Sequence, residues 1–286
     1  MTQALNLCRQ FVKQLTPMLE GVKRKHNLPK TVMEASSYYG SLIDLVGLSQ
    51  KIILPVNGAI FEDDSLRALD ENSPLKLPYP VTVLEYLLDE GPPRPGALTC
   101  TKVIVVARER DFEADGGRAI VISVIPCYKH DGSWSPLPEV AIPITNAVDR
   151  KALLANGQLG IKFFTTNTPG QHVDDFRGEV SALLGVMNAL ACSNVGLTKL
   201  PQSNTRKAIK TALPFDEYHV LEVKQPTLGI AGVTVVHHAG RHPREHLRRG
   251  HIRCLETGRK IWVNACVVAA GTVGKVTKDY LIRKHA

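Results

Sequence analysis

In the stretch "REHLRRGHIR" (Arg244 to Arg253), His246 and His251 stand five positions apart among Arg248, Arg249 and Arg253. Two imidazoles can supply a general base and a general acid, and guanidinium groups can hold the charge that develops on a reacting phosphate. Together they suffice to cleave RNA through its 2′-hydroxyl without a metal. The same residue types also make a docking tract, because the planar guanidinium fork pairs two phosphate oxygens at once and stacks on bases. His246 and His251 are therefore the catalytic candidates. Arg244, Arg248, Arg249, Arg253, Arg259 and Lys260 are the RNA-binding candidates, joined by Trp262, which is either a stacking platform or a core residue beneath a hairpin. Docking needs only charge and fork geometry, whereas catalysis needs a constellation that one short hairpin seldom supplies. Docking is the leading expectation and direct cleavage the alternative.

Other chemistries find less support. His242, His246 and His251 are separated by three and four residues, but Pro243 follows the first and no HExxH is present, so no metal is expected. The six cysteines (Cys8, Cys100, Cys127, Cys192, Cys254 and Cys266) form no CxxC pair and read as small buried or half-buried thiols. There is no P-loop, no GxSxG and no GxGxxG after a strand, and no cofactor is implied.

Charge narrows the choice, although a merely solvated basic face stays an alternative. From Arg241 to Ala286 there are 11 Lys and Arg against 3 Asp and Glu; the chain's totals of 35 and 27 leave 24 and 24 for the first 240 residues. The whole net charge of +8 sits in the last 46 residues. A basic excess confined to one short segment implies a positive face, and polyanions are its natural partners. A non-enzymatic module meeting an acidic protein is a further alternative.

The elements that must position this tract can be read in order. Residues 3–25 space Leu5, Cys8, Val12, Leu15 and Leu19 on one helical face and end in "KRKH", and a second helix is predicted from Thr31 to Leu48. "KIILPVNGAIF" reads as a strand broken by a turn, and "VTVLEYLL" as a strand. "CTKVIVVARER" and "AIVISVIPCYK" read as a hairpin turning at Gly116-Gly117. A short helix is expected at Arg150–Ala155, a buried central helix from Asp174 to Cys192 that is apolar on nearly every side, and a strand at "YHVLEV". "HPREHLRRG" reads as a mobile or tightly turned element before a hairpin of "HIRCL", the turn "ETG" and "RKIWVNACVV". The expected fold class is α+β, a mainly antiparallel sheet with a buried central helix and a C-terminal basic β-hairpin. Residues 1–240 would be an α+β body for peptide or protein recognition and 241–286 the basic hairpin and tail. "VTVLEYLL" and its proline-rich neighbours could supply a peptide groove, by strand addition or an apolar cleft, with ordinary connections the leading reading of the loops.

No stretch approaches the roughly 20 apolar residues needed to span a bilayer. "MTQALNLCRQFVKQL" lacks an apolar h-region, so a cytosolic protein with no membrane partner is expected.

The tract "HPREHLRRGHIRCLETGRKIWVNACVV" resembles one carried by phage, prophage and plasmid proteins of the type V-A anti-CRISPR family, in His246, Arg248, Arg249, Gly250, His251, Trp262 and Val267-Val268. A weaker likeness runs through "LPYPVTVLEY" and "LLGVMNALACSN"; Ile252 stands where such proteins commonly carry an aromatic. The resemblance implies a counter-defence protein of the bacterial cytoplasm that recognises a nascent peptide or defence protein at the ribosome and brings about loss of the mRNA being translated.

Overall fold

The computed structural model describes residues 5–25, 27–60, 76–89, 99–111, 118–137, 139–143, 162–163, 177–200, 217–224, 246–248, 251–263 and 266–268. The expected helix at Arg150–Ala155 and the turn at Gly116-Gly117 lie outside them, as does the boundary near residue 240.

Apolar residues at helical spacing form α1 (Leu7–Lys23) and α2 (Lys30–Leu48), and α1 turns Leu7, Cys8, Phe11, Leu15 and Leu19 inward. Eight strands follow in one sheet: β1 (Gln50–Ile53), β2 (Val81–Leu87), β3 (Cys100–Asp111), β4 (Arg118–Tyr128), β5 (Val140–Pro143), β6 (Lys162–Phe163), β7 (Val195–Lys199) and β8 (Tyr218–Val223). Their order is β6-β5-β4-β3-β2-β1-β8-β7. α3 (Arg177–Leu190) enters between β6 and β7 in sequence.

The fold class is α+β as expected, with a mixed sheet. β1 lies parallel to both β2 and β8, and every other neighbouring pair is antiparallel. Strands in a parallel group are covered on both faces and read as continuous apolar runs. Ile52–Leu54 is such a run, buried throughout and preceded by the equally buried Lys51. Because β2 is bonded to β1 on one side and β3 on the other, it has no free edge for strand addition. Strand addition along "VTVLEYLL" is therefore ruled out.

Period-two alternation sends Val83, Ile104, Val106 and Ile125 to one face, under α1 and α2, and Ile52, Leu84, Val105, Ile122 and Val124 to the other. α3 lies against that second face, buried continuously from Ala182 to Ala189, as the central helix predicted from its apolar sequence. A tight turn at Val56–Gly58 presses on it. A Cβ at Gly58, where φ is +65°, would come within 2.8 Å of the Ala182 side chain, so the position needs glycine on both counts.

α1 begins without a cap of its own, Asn6 making no side-chain cap bond. The acceptor comes from β2. Glu85, 0% exposed, accepts the N–H of Leu7 at 3.1 Å and of Cys8 at 2.9 Å, and the Tyr218 hydroxyl donates to it at 3.2 Å. The positive end of the helix dipole meets a carboxylate there. Burial pushes the Glu85 carboxyl above its ordinary value, while these donors pull it down.

Glu85→Ala should cost on the order of 3–5 kcal/mol in denaturant melts, since it leaves three donors from two elements unanswered. The raised carboxyl also has a pH consequence. The unfolded chain loses this proton first as pH rises, so the contribution to stability is full below the ordinary Glu range and is lost as pH climbs through the raised native value. Glu85→Gln should remove that segment of the stability–pH curve, and an unchanged curve in Glu85→Gln would refute it.

Candidate nucleic-acid interface

The C-terminal tract forms β9 (His246–Arg248), β10 (His251–Cys254), β11 (Lys260–Val263) and β12 (Cys266–Val268). β10 pairs with β11 from His251↔Val263 to Cys254↔Lys260, and β9 with β12 from Arg248↔Cys266 to His246↔Val268. Both ladders keep one register: counting outward three residues on each strand from His251↔Val263 arrives at Arg248↔Cys266. The hairpin expected from "HIRCL" onward is present. The element preceding it differs from expectation, since His246–Arg248 is a strand and not a turned segment. Glu256, Thr257 and Gly258 make the turn, closed by Gly258 N–H to Leu255 O at 2.8 Å with Gly258 at φ +77°.

Paired residues share a face of the ladder. Ile252 with Trp262 and Cys254 with Lys260 make one; His251 with Val263 and Arg253 with Ile261 occupy the other. Trp262 is 8% exposed and belongs, with Ile252 beside it, to the core that contains α3. That decides which face is buried. It also corrects the placement of Trp262 among the RNA-binding residues: an indole enclosed in the core offers no face to a base, and its burial joins the tract to the body. Arg253 stands exposed on the opposite face.

The tract is also clamped by polar bonds from the turn after α3. The Asn194 side chain answers both backbone groups of Trp262, accepting its N–H at 2.8 Å and donating to its carbonyl at 2.9 Å. An amide suits this role because its carbonyl and NH2 reproduce the acceptor and donor of a neighbouring strand. Ser193 donates its N–H and its hydroxyl to the Lys260 carbonyl, both at 3.0 Å, and Arg259 Nε donates to Ser193 Oγ at 2.6 Å. The Asn194 carbonyl accepts Lys224 N–H at 2.7 Å, just beyond β8. Ser193 and Asn194 were not singled out by residue type. Their signal was a polar pair directly after an apolar helix, which is indistinguishable from an ordinary turn.

Of the proposed contacts, Arg253 and Arg259 are exposed and Lys260 is half-buried, with Glu256 as the acid among the described residues of the β10–β11 hairpin. Arg248 stands opposite Cys266 in the outer ladder. His246 falls in the outer ladder opposite Val268, and His251 in the inner one at a position on the face of Arg253. Arg244 and Arg249 lie outside the described residues.

Cys8, Cys127 and Cys192 are buried and Cys100 is half-buried, while Cys254 is exposed, unlike the expectation for all six. Burial pushes the Cys192 thiol up to about 11 against the pull of the Lys260 ammonium. Among the described residues no three His, Cys, Asp or Glu side chains are grouped to hold a metal ion. No described helix is long and apolar enough to cross a membrane.

No family model matches this sequence, and no curated protein matches it. A weak structural neighbour is a crystal structure of AcrVA2, 11% identical, aligned over 91% of this chain and 86% of that one at a TM-score of 0.32. A likeness of that size carries no argument about fold or function.

Asn194→Ala should cost about 2–3 kcal/mol, because it strands the N–H and C=O of Trp262, and should speed hydrogen exchange at the Trp262 amide more than at β3. Arg253→Ala, at an exposed position, should leave stability within about 0.5 kcal/mol. Equal melting of Asn194→Ala and the parent would refute the clamp.

Proposed function

We propose that this chain is an RNA-binding, anti-CRISPR-like protein of phage or mobile-element type, acting in the bacterial cytoplasm. Its basic ribbon holds mRNA by the phosphate backbone. Its body recognises a nascent peptide or defence protein, with the ribosome as the place where both are met, and the outcome is lower expression of the recognised transcript. One observation carries the reading: the segment that holds the whole net charge of +8 includes a hairpin clamped to the core through Asn194 and Trp262, with Arg253 and Arg259 exposed. A fixed cationic ladder suits phosphate, since little ordering remains for binding to impose. The resemblance of the Arg248-Arg249-Gly250-His251 tract to the anti-CRISPR family supports the counter-defence part.

Affinity for a single-stranded RNA oligonucleotide should fall steeply with salt, because each neutralised phosphate releases condensed counterions. Changing Arg248 and Arg249 together to Ala should weaken binding and flatten the log–log salt slope by roughly 1.4, about 0.7 for each lost phosphate contact on a single strand. Salt-independent binding, or a double variant of unchanged affinity, would favour the protein-binding module instead.

Purified protein should not cut RNA by itself, and His251→Ala should lower affinity. If His246 and His251 were acid and base, the metal-free protein would cleave with a bell-shaped pH profile, and His251→Ala would abolish cutting while leaving affinity within a few-fold. Cleavage of that kind would replace docking by the ribonuclease reading.

A further inference from the structure

Where α1 ends and α2 begins, apolar side chains stand exposed. α1 is held as far as its middle, where Lys102 Nζ donates to Gln10 Oε1 at 3.0 Å, Trp134 N–H donates to Gln14 Oε1 at 3.3 Å, and the Phe11 and Trp134 rings meet edge to face at 6.2 Å. α2 is held from Tyr38 onward, the Tyr38 hydroxyl donating to the Leu137 carbonyl at 3.1 Å. Beyond these points Leu19 is still buried, but other apolar residues are not. Met18 extends the Phe11–Leu15 row of α1 and is 48% exposed; Val32 extends the Tyr39–Ile43 row of α2 and is 39% exposed; Met33 is 60% exposed. Every residue from Lys30 to Ala35 is exposed.

Cations ring this uncovered end. Lys23, Arg24, Lys25 and Lys30 are all exposed. The two acids here, Glu20 and Glu34, already face Arg24 at 3.9 Å and Lys30 at 3.6 Å, leaving Lys23 and Lys25 without a carboxylate among the described residues. A second copy would bring two positive ends together, which like-charge repulsion opposes. RNA would meet the cations but would leave Met18, Val32 and Met33 against phosphate and water. A protein segment with an apolar face and acidic flanks satisfies both features, and exposed methionines adapt to such faces because their side chains are unbranched and polarizable.

We propose that the end of the α1–α2 pair, around Met18, Val32, Met33, Lys23 and Lys25, docks an acidic amphipathic segment of a protein partner. This rests on the reading that the body recognises a protein, and it moves the recognition surface from β2 to the helical end. The surface lies on the sheet face opposite the one that carries Trp262, so it can be occupied while the ribbon holds RNA.

The probe is a fluorescent peptide of about sixteen residues, with Leu and Phe along one helical face and Glu elsewhere, titrated onto the full chain. It should bind, and a Lys-for-Glu version should not. Lys23→Glu with Lys25→Glu should weaken binding about tenfold and Met33→Ser about fivefold, while Glu20→Lys with Glu34→Lys should strengthen it, a gain that misfolding cannot produce. The RNA titration on the same preparations separates the two readings. Tip variants should leave RNA affinity unchanged, and Arg253→Ala with Arg259→Ala should lower it without touching the peptide. Peptide binding that ignores all three tip variants would overturn the proposal. So would tip variants that lose RNA or vesicles of one-third anionic lipid instead of the peptide.

Discussion

Glu85 keeps its carboxylate out of all contact with water, and three donors from α1 and β8 converge on it. A buried carboxyl group without partners would be strongly destabilising, so β2, α1 and β8 must come together around it or not at all. The consequences run through the sheet. Tyr218, at the start of β8, is fixed by its bond to Glu85; at the far end of β8, Lys224 donates to the Asn194 carbonyl; and the Asn194 side chain holds Trp262. The anchoring of the basic ribbon is thus continuous, through one strand, with the capping of the first helix.

A two-stranded ribbon is marginal by itself in water. This one gains what it lacks from a buried indole and from an amide that imitates a strand edge. Because Trp262 and Ile252 turn inward, alternation leaves the position of Arg253 facing out, and the Arg259 guanidinium is steadied from one side by Ser193. The hairpin that carries Arg253 and Arg259 is held in place by packing.

The sheet also keeps two surfaces apart. α1 and α2 cover one face and α3 with Trp262 the other, so the cationic ribbon and the apolar, basic end of the helix pair do not compete for one region. At that helix end Met18, Val32 and Met33 stand exposed.

Much of this was legible in the residues themselves. The apolar periodicity of α1, the long strands β3 and β4, the all-round apolar α3 and the charge segregation after residue 240 are properties of composition and spacing, which no packing can alter. The hairpin of "HIRCL" and "RKIWV" was legible because a glycine-containing turn joins two β-prone runs. What spacing cannot express is which of two faces finds a partner. Alternation along β10 and β11 is symmetric until Trp262 meets α3, and "VTVLEYLL" has the same sequence whether it lies at an edge or between two strands. Glu85 reads as a solvent-facing acid in an apolar strand until α1, 77 residues earlier, brings it uncapped N–H groups. Asn194 reads as a turn residue until Trp262, 68 residues later, presents its backbone. Local chemistry determined the elements and the location of charge; long-range pairing alone decided which side chains were buried, capped and clamped, because each of those needs a partner that the neighbouring residues do not supply.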